Sequence, residues 1–338
     1  MTENSSPEKA PVVKSDLYPR LSGDTERLES LIAVLRQTKL GAQLLDDAAE
    51  AGVTITTAMM SGSKGAYNDA NKLVTLVPGL PFERQVVTLA HELRHAQQFK
   101  NGVVLNAFLD APKDYLHSQG MIEADANVAA CAVAWDLKQQ GNSKPIEDFA
   151  KEHPAIVDPF LRAAENGGVE TGDAFKDAFR GWFDDLYIRN AYEKNYLRNF
   201  ECNKRHATPA ERAAAMRRSV PVTENAAKVC LFDGKQYISE KEVADFFARP
   251  ELTSVAHETY WAIYRNLRDA KNLGFSADAK DVMNKEGNFT IRESEYYEID
   301  APLRKRQTKA AAKIAEYKQR KNLNAVDRRV RLAKARSR

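Results

Sequence analysis

Cysteine is scarce in this chain of 338 residues: Cys131, Cys202 and Cys230 are all there are, far apart and odd in number. That excludes a disulfide scaffold and a thiolate zinc finger, and leaves reduced, mostly buried thiols. Long apolar runs are missing too. Nothing approaches the ~18–20 consecutive apolar residues of a membrane span, although hydrophobic residues make up 43% of the chain, enough for a sizeable core. The opening MTENSSPEKAPVVKSD has no apolar run behind a basic start. No Sec-type signal is therefore expected, and the expected location is cytoplasmic, with signal-independent export left open. No repeat of fixed period occurs. Nor does the body carry an excess of positive charge. The net charge is +3, but residues 301–338 hold 14 Lys and Arg against Glu316 and Asp327, so the other 300 residues sum to −9. The basic character belongs to the tail alone.

What is present is largely helical, which predicts an α+β protein with helices dominant. Residues 1–22 are polar, contain Pro7, Pro11 and Pro19, and read as a disordered leader. Leu28, Leu31, Ile32 and Leu35 keep helical spacing in one helix from about 24 to 49, stopped by Gly52. VTITTAMM (53–60) alternates as a strand, and Leu73 to Val77 read as a second, after turn chemistry at Asn68-Asp69-Ala70-Asn71. A helix from about Phe82 to Lys100 stops at Asn101-Gly102, and another from about Ser118 to Gln140 stops at Gly141. Further on, aromatic residues from Phe175 to Phe200 share one wide face that reads as core or interdomain packing, with a ligand-binding stripe as the alternative. Thr208-Pro209-Ala210-Glu211 has the pattern of a capping box, VCLFDGKQYI (229–238) reads as a hairpin turning at Asp233-Gly234, and Ser239 to Glu242 cap the next helix. A last helix is expected over 254–273, before Ala301-Pro302 breaks into the basic tail.

The sharpest chemical signal is TLAHELRHAQQF, which contains His91-Glu92-Leu93-Arg94-His95. Histidines four residues apart on a helix share a face one turn apart, where two ring nitrogens can bind one Zn2+ ion. Glu92 beside them can take the proton of a metal-bound water as general base. Val86, Val87, Leu89, Ala90, Leu93 and Ala96 make this helix nearly apolar, so the three polar side chains would be buried, which is costly without a ligand or partner. Arg94 is a charge between the histidines, expected to point outward as a solvated or salt-bridged side chain.

A catalytic zinc site normally takes a third protein ligand. A third histidine six residues on is lacking, because Gln98 and Asn101 occupy the Gly and His positions of the longer motif. A carboxylate from the next helix remains. MIEADANVAACAVAW (121–135) offers Glu123 and Asp125, about 200° apart on a helical wheel, so one of the two faces the metal. Ala126, Asn127, Ala130 and Ala134 on the Glu123 side would allow close approach of the two helices, which favours Glu123. Asp125 is the alternative, and His117 a third. The carboxylate that does not ligate is expected to support the site from outside or to cap a helix.

HELRH followed by a helix reading EADANVAA resembles the gluzincin metallopeptidases. It is similar to the small bacterial ones, including uncharacterised bacterial metallopeptidase domains, and more distantly to the ImmA/IrrE-type peptidases. The resemblance covers roughly residues 25–140 and implies a zincin-like domain over 23–142. That domain would be a small twisted sheet with the HExxH helix and a glutamate helix, followed by a mainly helical region (143–300) and the basic tail (301–338). It implies a zinc peptidase acting on a peptide or protein substrate, with Glu92 as base and His91, His95 and Glu123 as ligands. An edge strand would border the cleft and bind substrate backbone by strand addition, for which 71–79 is the candidate; an interior strand is the competing reading.

Other features carry less. Tyr115, His117 or Tyr187 are candidates to stabilise an oxyanion. His257-Glu258-Thr259-Tyr260-Trp261 begins like a second zinc motif but closes on Trp, so an ordinary helix is expected. The tail, 303–338, reads as a solvated helix or arm with nonspecific nucleic-acid or anionic-surface contact as its alternative. On that alternative the protein is a non-catalytic binding protein on a degenerate scaffold.

Overall fold

In the computed structural model, which describes residues 18–105, 112–185, 187–189, 191–193, 195–196 and 222–248, the stripe Leu28, Leu31, Ile32 and Leu35 is buried along helix α1 (Thr25–Leu35). Asp24 caps α1 by accepting the Arg27 N–H at 3.2 Å. The single helix expected here is two. Thr38 donates to the Leu35 carbonyl at 2.9 Å and accepts from the Gly41 N–H at 3.0 Å, so it closes α1 and opens α2 (Lys39–Glu50). A Cβ on Gly41 would lie 2.3 Å from that carbonyl, and the corner needs glycine.

Strands β1 (Arg20–Ser22), β2 (Thr54–Thr57), β3 (Gly65–Asn68) and β4 (Leu73–Leu76) form one sheet in the order β1-β2-β4-β3. β1, β2 and β4 are parallel, while β3 runs antiparallel to β4 with Gly65 opposite Leu76. Ile55, Val74 and Leu76 turn into the core. Two sequence expectations are corrected. Arg20–Ser22, placed in the polar leader, pair with β2. The proposed edge strand, 71–79, holds the interior strand β4, hydrogen-bonded on both sides, and the edge is β3, whose GAYN is too short and polar to show an alternation.

Helix α3 (Phe82–Lys100) packs against α4 (Pro112–Gln139). α4 starts six residues before the expected Ser118, because proline at a first helical position gives up only an N–H that has no intrahelical partner. α5 (Lys144–Glu152), α6 (Pro154–Ala164), α7 (Gly168–Thr171) and α8 (Asp173–Asp184) follow. α6 and α8 cross tightly at Gly181, where a Cβ would sit 2.0 Å from the Ala155 carbonyl oxygen. Phe160, Phe175, Phe179 and Trp182 are buried there.

α9 (Val222–Val229), the hairpin β5 (Leu231–Phe232) and β6 (Lys235–Gln236), and α10 (Glu240–Phe247) complete the described chain. Asp233 and Gly234 both have positive φ, as a tight two-residue hairpin turn requires, and the Ser239–Glu242 capping box forms. One buried core runs from Leu28 to Phe247, straight through the boundary drawn from sequence at 142–143. The fold is mostly helical with a small sheet. Among the described residues, no helix is long and apolar enough to cross a membrane, and Cys131 and Cys230 are free and buried. The expected capping box at 208–211, the helix over 254–273 with its His257 motif, Cys202 and the basic tail lie outside the described residues.

Candidate metal centre

The four-residue spacing on α3 brings the Nε2 atoms of His91 and His95 to 3.0 Å from each other, with the rings edge to face. Glu123 reaches them from α4: its Oε2 lies 3.3 Å from His91 Nε2 and 3.7 Å from His95 Nε2. A tetrahedral centre with bonds of about 2.1 Å separates its donors by about 3.4 Å, inside the range these three atoms span. Glu123 Oε1 accepts a hydrogen bond from Tyr196 Oη at 2.9 Å, while Oε2 is buried with no hydrogen-bond partner. An unsatisfied buried acceptor costs about 1–3 kcal/mol, more when charged, and a cation would remove that deficit. The donor set fits a metal ion, to which each of the three residues could give one atom.

Charge organises the same cluster. Burial works against the Glu123 carboxylate, but His95 and His91 outweigh it and hold its carboxyl well below the usual range. Burial likewise opposes a charged His95, and Glu123 and Glu92 overcome it, pushing its pKa up to about 9 in the metal-free chain. Glu92, 6% exposed, goes the other way: burial raises its pKa, only partly offset by the two histidines.

Glu92 and His91 line a cleft of about 260 Å³ that also touches Lys64, Gly65, His153 and Tyr192. β3 passes directly over Glu92. A Cβ on Gly65 would lie 2.6 Å from Thr88 Cγ2 and 2.9 Å from Glu92 Oε1, and a Tyr67 backbone hydrogen bond reaches the Glu92 carboxylate.

Asp125 does not join the histidines. It is fully buried and accepts four hydrogen bonds: from Arg94 Nε at 2.7 Å, Arg94 Nη2 at 3.0 Å, Gln98 Nε2 at 2.7 Å and Tyr237 Oη at 2.8 Å. Arg94, expected to point outward, is buried at 4% exposure. Its Nη2 also donates to the carbonyls of Val229 and Leu231, both at 2.7 Å, so the start of the hairpin is fastened to α3. The charge between the histidines therefore faces the interior, where Asp125 balances it.

The three oxyanion candidates stand elsewhere. Tyr115 is buried against Leu116 and Tyr196, His117 stacks on Phe247 at 4.6 Å, and Tyr187 is 86% exposed; none lines the cleft. Tyr192 does line it, and its hydroxyl bonds Glu123. Tyr192 and Tyr196 were hidden in the aromatic face of 175–200, where their four-residue spacing gave the one hint that they act together.

Residues 11–237 match the model of a family described as "Putative metallopeptidase family (DUF6782)". No curated protein and no solved structure gives a match.

Proposed function

The chain belongs to this metallopeptidase family, and from that premise we propose that it is a zinc-dependent peptidase of the gluzincin type. His91, His95 and Glu123 hold the ion, and Glu92 is the general base. One observation carries the reading: two imidazole Nε2 atoms converge on the partnerless buried oxygen of Glu123, beside a second buried carboxylate. Zinc held by these three residues would supply Lewis acidity toward water and a substrate carbonyl. Glu92 takes the water proton and then hands it to the leaving amine, and its raised pKa brings it nearer a working pH for both tasks. The outer edge of β3 offers backbone groups for an added strand of substrate, next to Glu92. Tyr192 replaces Tyr115, His117 and Tyr187 as the hydroxyl placed to stabilise an oxyanion.

Elemental analysis of the purified chain and of Glu92→Gln tests this. Both should hold about one zinc per chain, while the variant cleaves a mixed peptide library at least about 10²-fold more slowly. A parent without metal, or a variant as fast as the parent, rejects the assignment.

A further inference from the structure

We propose that Gln98 is a positioning residue that dictates which nitrogen of His95 stays bare, and that Asp125, Arg94 and Tyr237 hold Gln98 in the one orientation that does so. This rests on the metal-centre reading above. A glutamine amide has a donor end and an acceptor end, and its surroundings decide which faces where. Here one end lies 2.9 Å from the Ile122 carbonyl oxygen and 2.7 Å from Asp125 Oδ2. A carbonyl can only accept, so that end is the NH2 group.

Asp125 agrees. Each of its oxygens meets one Arg94 N–H, a group that can only donate, and Tyr237 Oη supplies a further donor to Oδ1, which leaves no place for a proton of its own. The other end of the amide, Oε1, then faces His95 Nδ1 at 2.9 Å. An amide oxygen has no proton to give, so Nδ1 must carry one. Once His95 is neutral, its Nε2 is bare and directed at His91 and Glu123, as a metal ligand must be. A flipped Gln98 would set oxygen against oxygen at both Ile122 and Asp125.

Gln98 sits three residues after His95, hence on the same helical face. Its orientation depends on Arg94, one turn earlier and anchored to the Val229 and Leu231 carbonyls, and on Tyr237, and these three anchors are far away in sequence. Control of the His95 tautomer therefore reaches from α3 through α4 to the hairpin.

Gln98→Leu, Gln98→Glu and Tyr237→Phe in the full chain test this. Zinc affinity is read by competition with a chelator of known affinity, the His95 Nδ1 proton by long-range proton–nitrogen spectra and its exchange rate, and folding by melting temperature. Gln98→Leu should bind zinc about 10–100-fold more weakly, the scale of an outer partner of a ligating histidine, with fast exchange at Nδ1. Gln98→Glu keeps an oxygen opposite Nδ1 but sets its other oxygen against the Ile122 carbonyl and Asp125, so it should keep the Nδ1 signal while its melting temperature falls. Tyr237→Phe should move both readouts in the Leu direction, by less. An unchanged Nδ1 signal with affinity within about twofold of the parent in Gln98→Leu overturns the proposal. So does a loss that follows melting temperature alone, or a Gln98→Glu variant that lacks the Nδ1 signal. A parent that binds no zinc overturns the metal reading instead, and the Nδ1 proton still judges the tautomer.

Discussion

As a proposed metal ligand, His95 would tie ion binding to pH through its own proton. In the metal-free chain, burial disfavours its charge but Glu123 and Glu92 prevail and lift its pKa to about 9. Below that pH a proton occupies the ring, and an ion must displace it, because only a neutral imidazole ligates. Zinc affinity should therefore climb by about tenfold per pH unit from pH 7 and level off near 9, as linkage to one released proton requires. Chelator competition across that range checks it; a flat profile would mean that His95 is already neutral. His91, Glu92 and His95 could be read from sequence because the spacing alone places them on one face. Between Glu123 and Asp125 the helical wheel gives opposite faces without saying which one meets α3, and only the small residues beside Glu123 favour it. Arg94 was misjudged because its acceptors at Val229 and Leu231, and the Tyr237 hydroxyl that shares Asp125 with it, lie more than a hundred residues away.

The strand β3 owes its position over Glu92 to one missing side chain. Gly65→Ala puts a methyl group against Thr88 and Glu92, at distances of 2.6 and 2.9 Å that no relaxed contact allows. Strand and base must separate. Overpacking of this kind costs about 1–3 kcal/mol of stability, and an ångström-scale displacement of a catalytic group can cost up to about 10²-fold in rate. The ligands do not touch Gly65, so zinc content should hold while kcat/KM falls. Parent-like kinetics in that variant would show that β3 does not set the position of Glu92. The elements themselves were legible where a local rule decides, as at Asp233-Gly234 and the Ser239 cap. They were illegible where packing decides: the α1–α2 corner depends on the space beside Gly41, and β1 is a strand only because β2 pairs with it.

At the scale of the molecule, the core continues past 142, and the family match extends to 237, the residue whose hydroxyl meets Asp125. A chain ended at 142 would lose Phe160, Phe175, Phe179 and Trp182, each contributing about 1.5–3 kcal/mol by burial, against a total stability of about 5–15 kcal/mol. It should not fold, as circular dichroism and melting would show. Deletion of 303–338 should leave melting temperature and zinc content unchanged, since the segment follows the break at Pro302 and has little apolar surface to bury; a drop of several degrees would show a docked tail. The boundary near 142 rests on how far the metallopeptidase resemblance reaches along the sequence, and that resemblance does not reveal that α4 packs against α8 on its other side. The fastening of Arg94 to Val229 and Leu231 also sets a clock on synthesis. The last of those contacts is translated 137 residues after the arginine, about 7–27 s later at ~5–20 residues per second. Through that interval the ribosome-bound chain carries its two histidines on a helix whose inward-facing cation still lacks these late anchors, so the supported metal site is among the last parts of the family unit to be made.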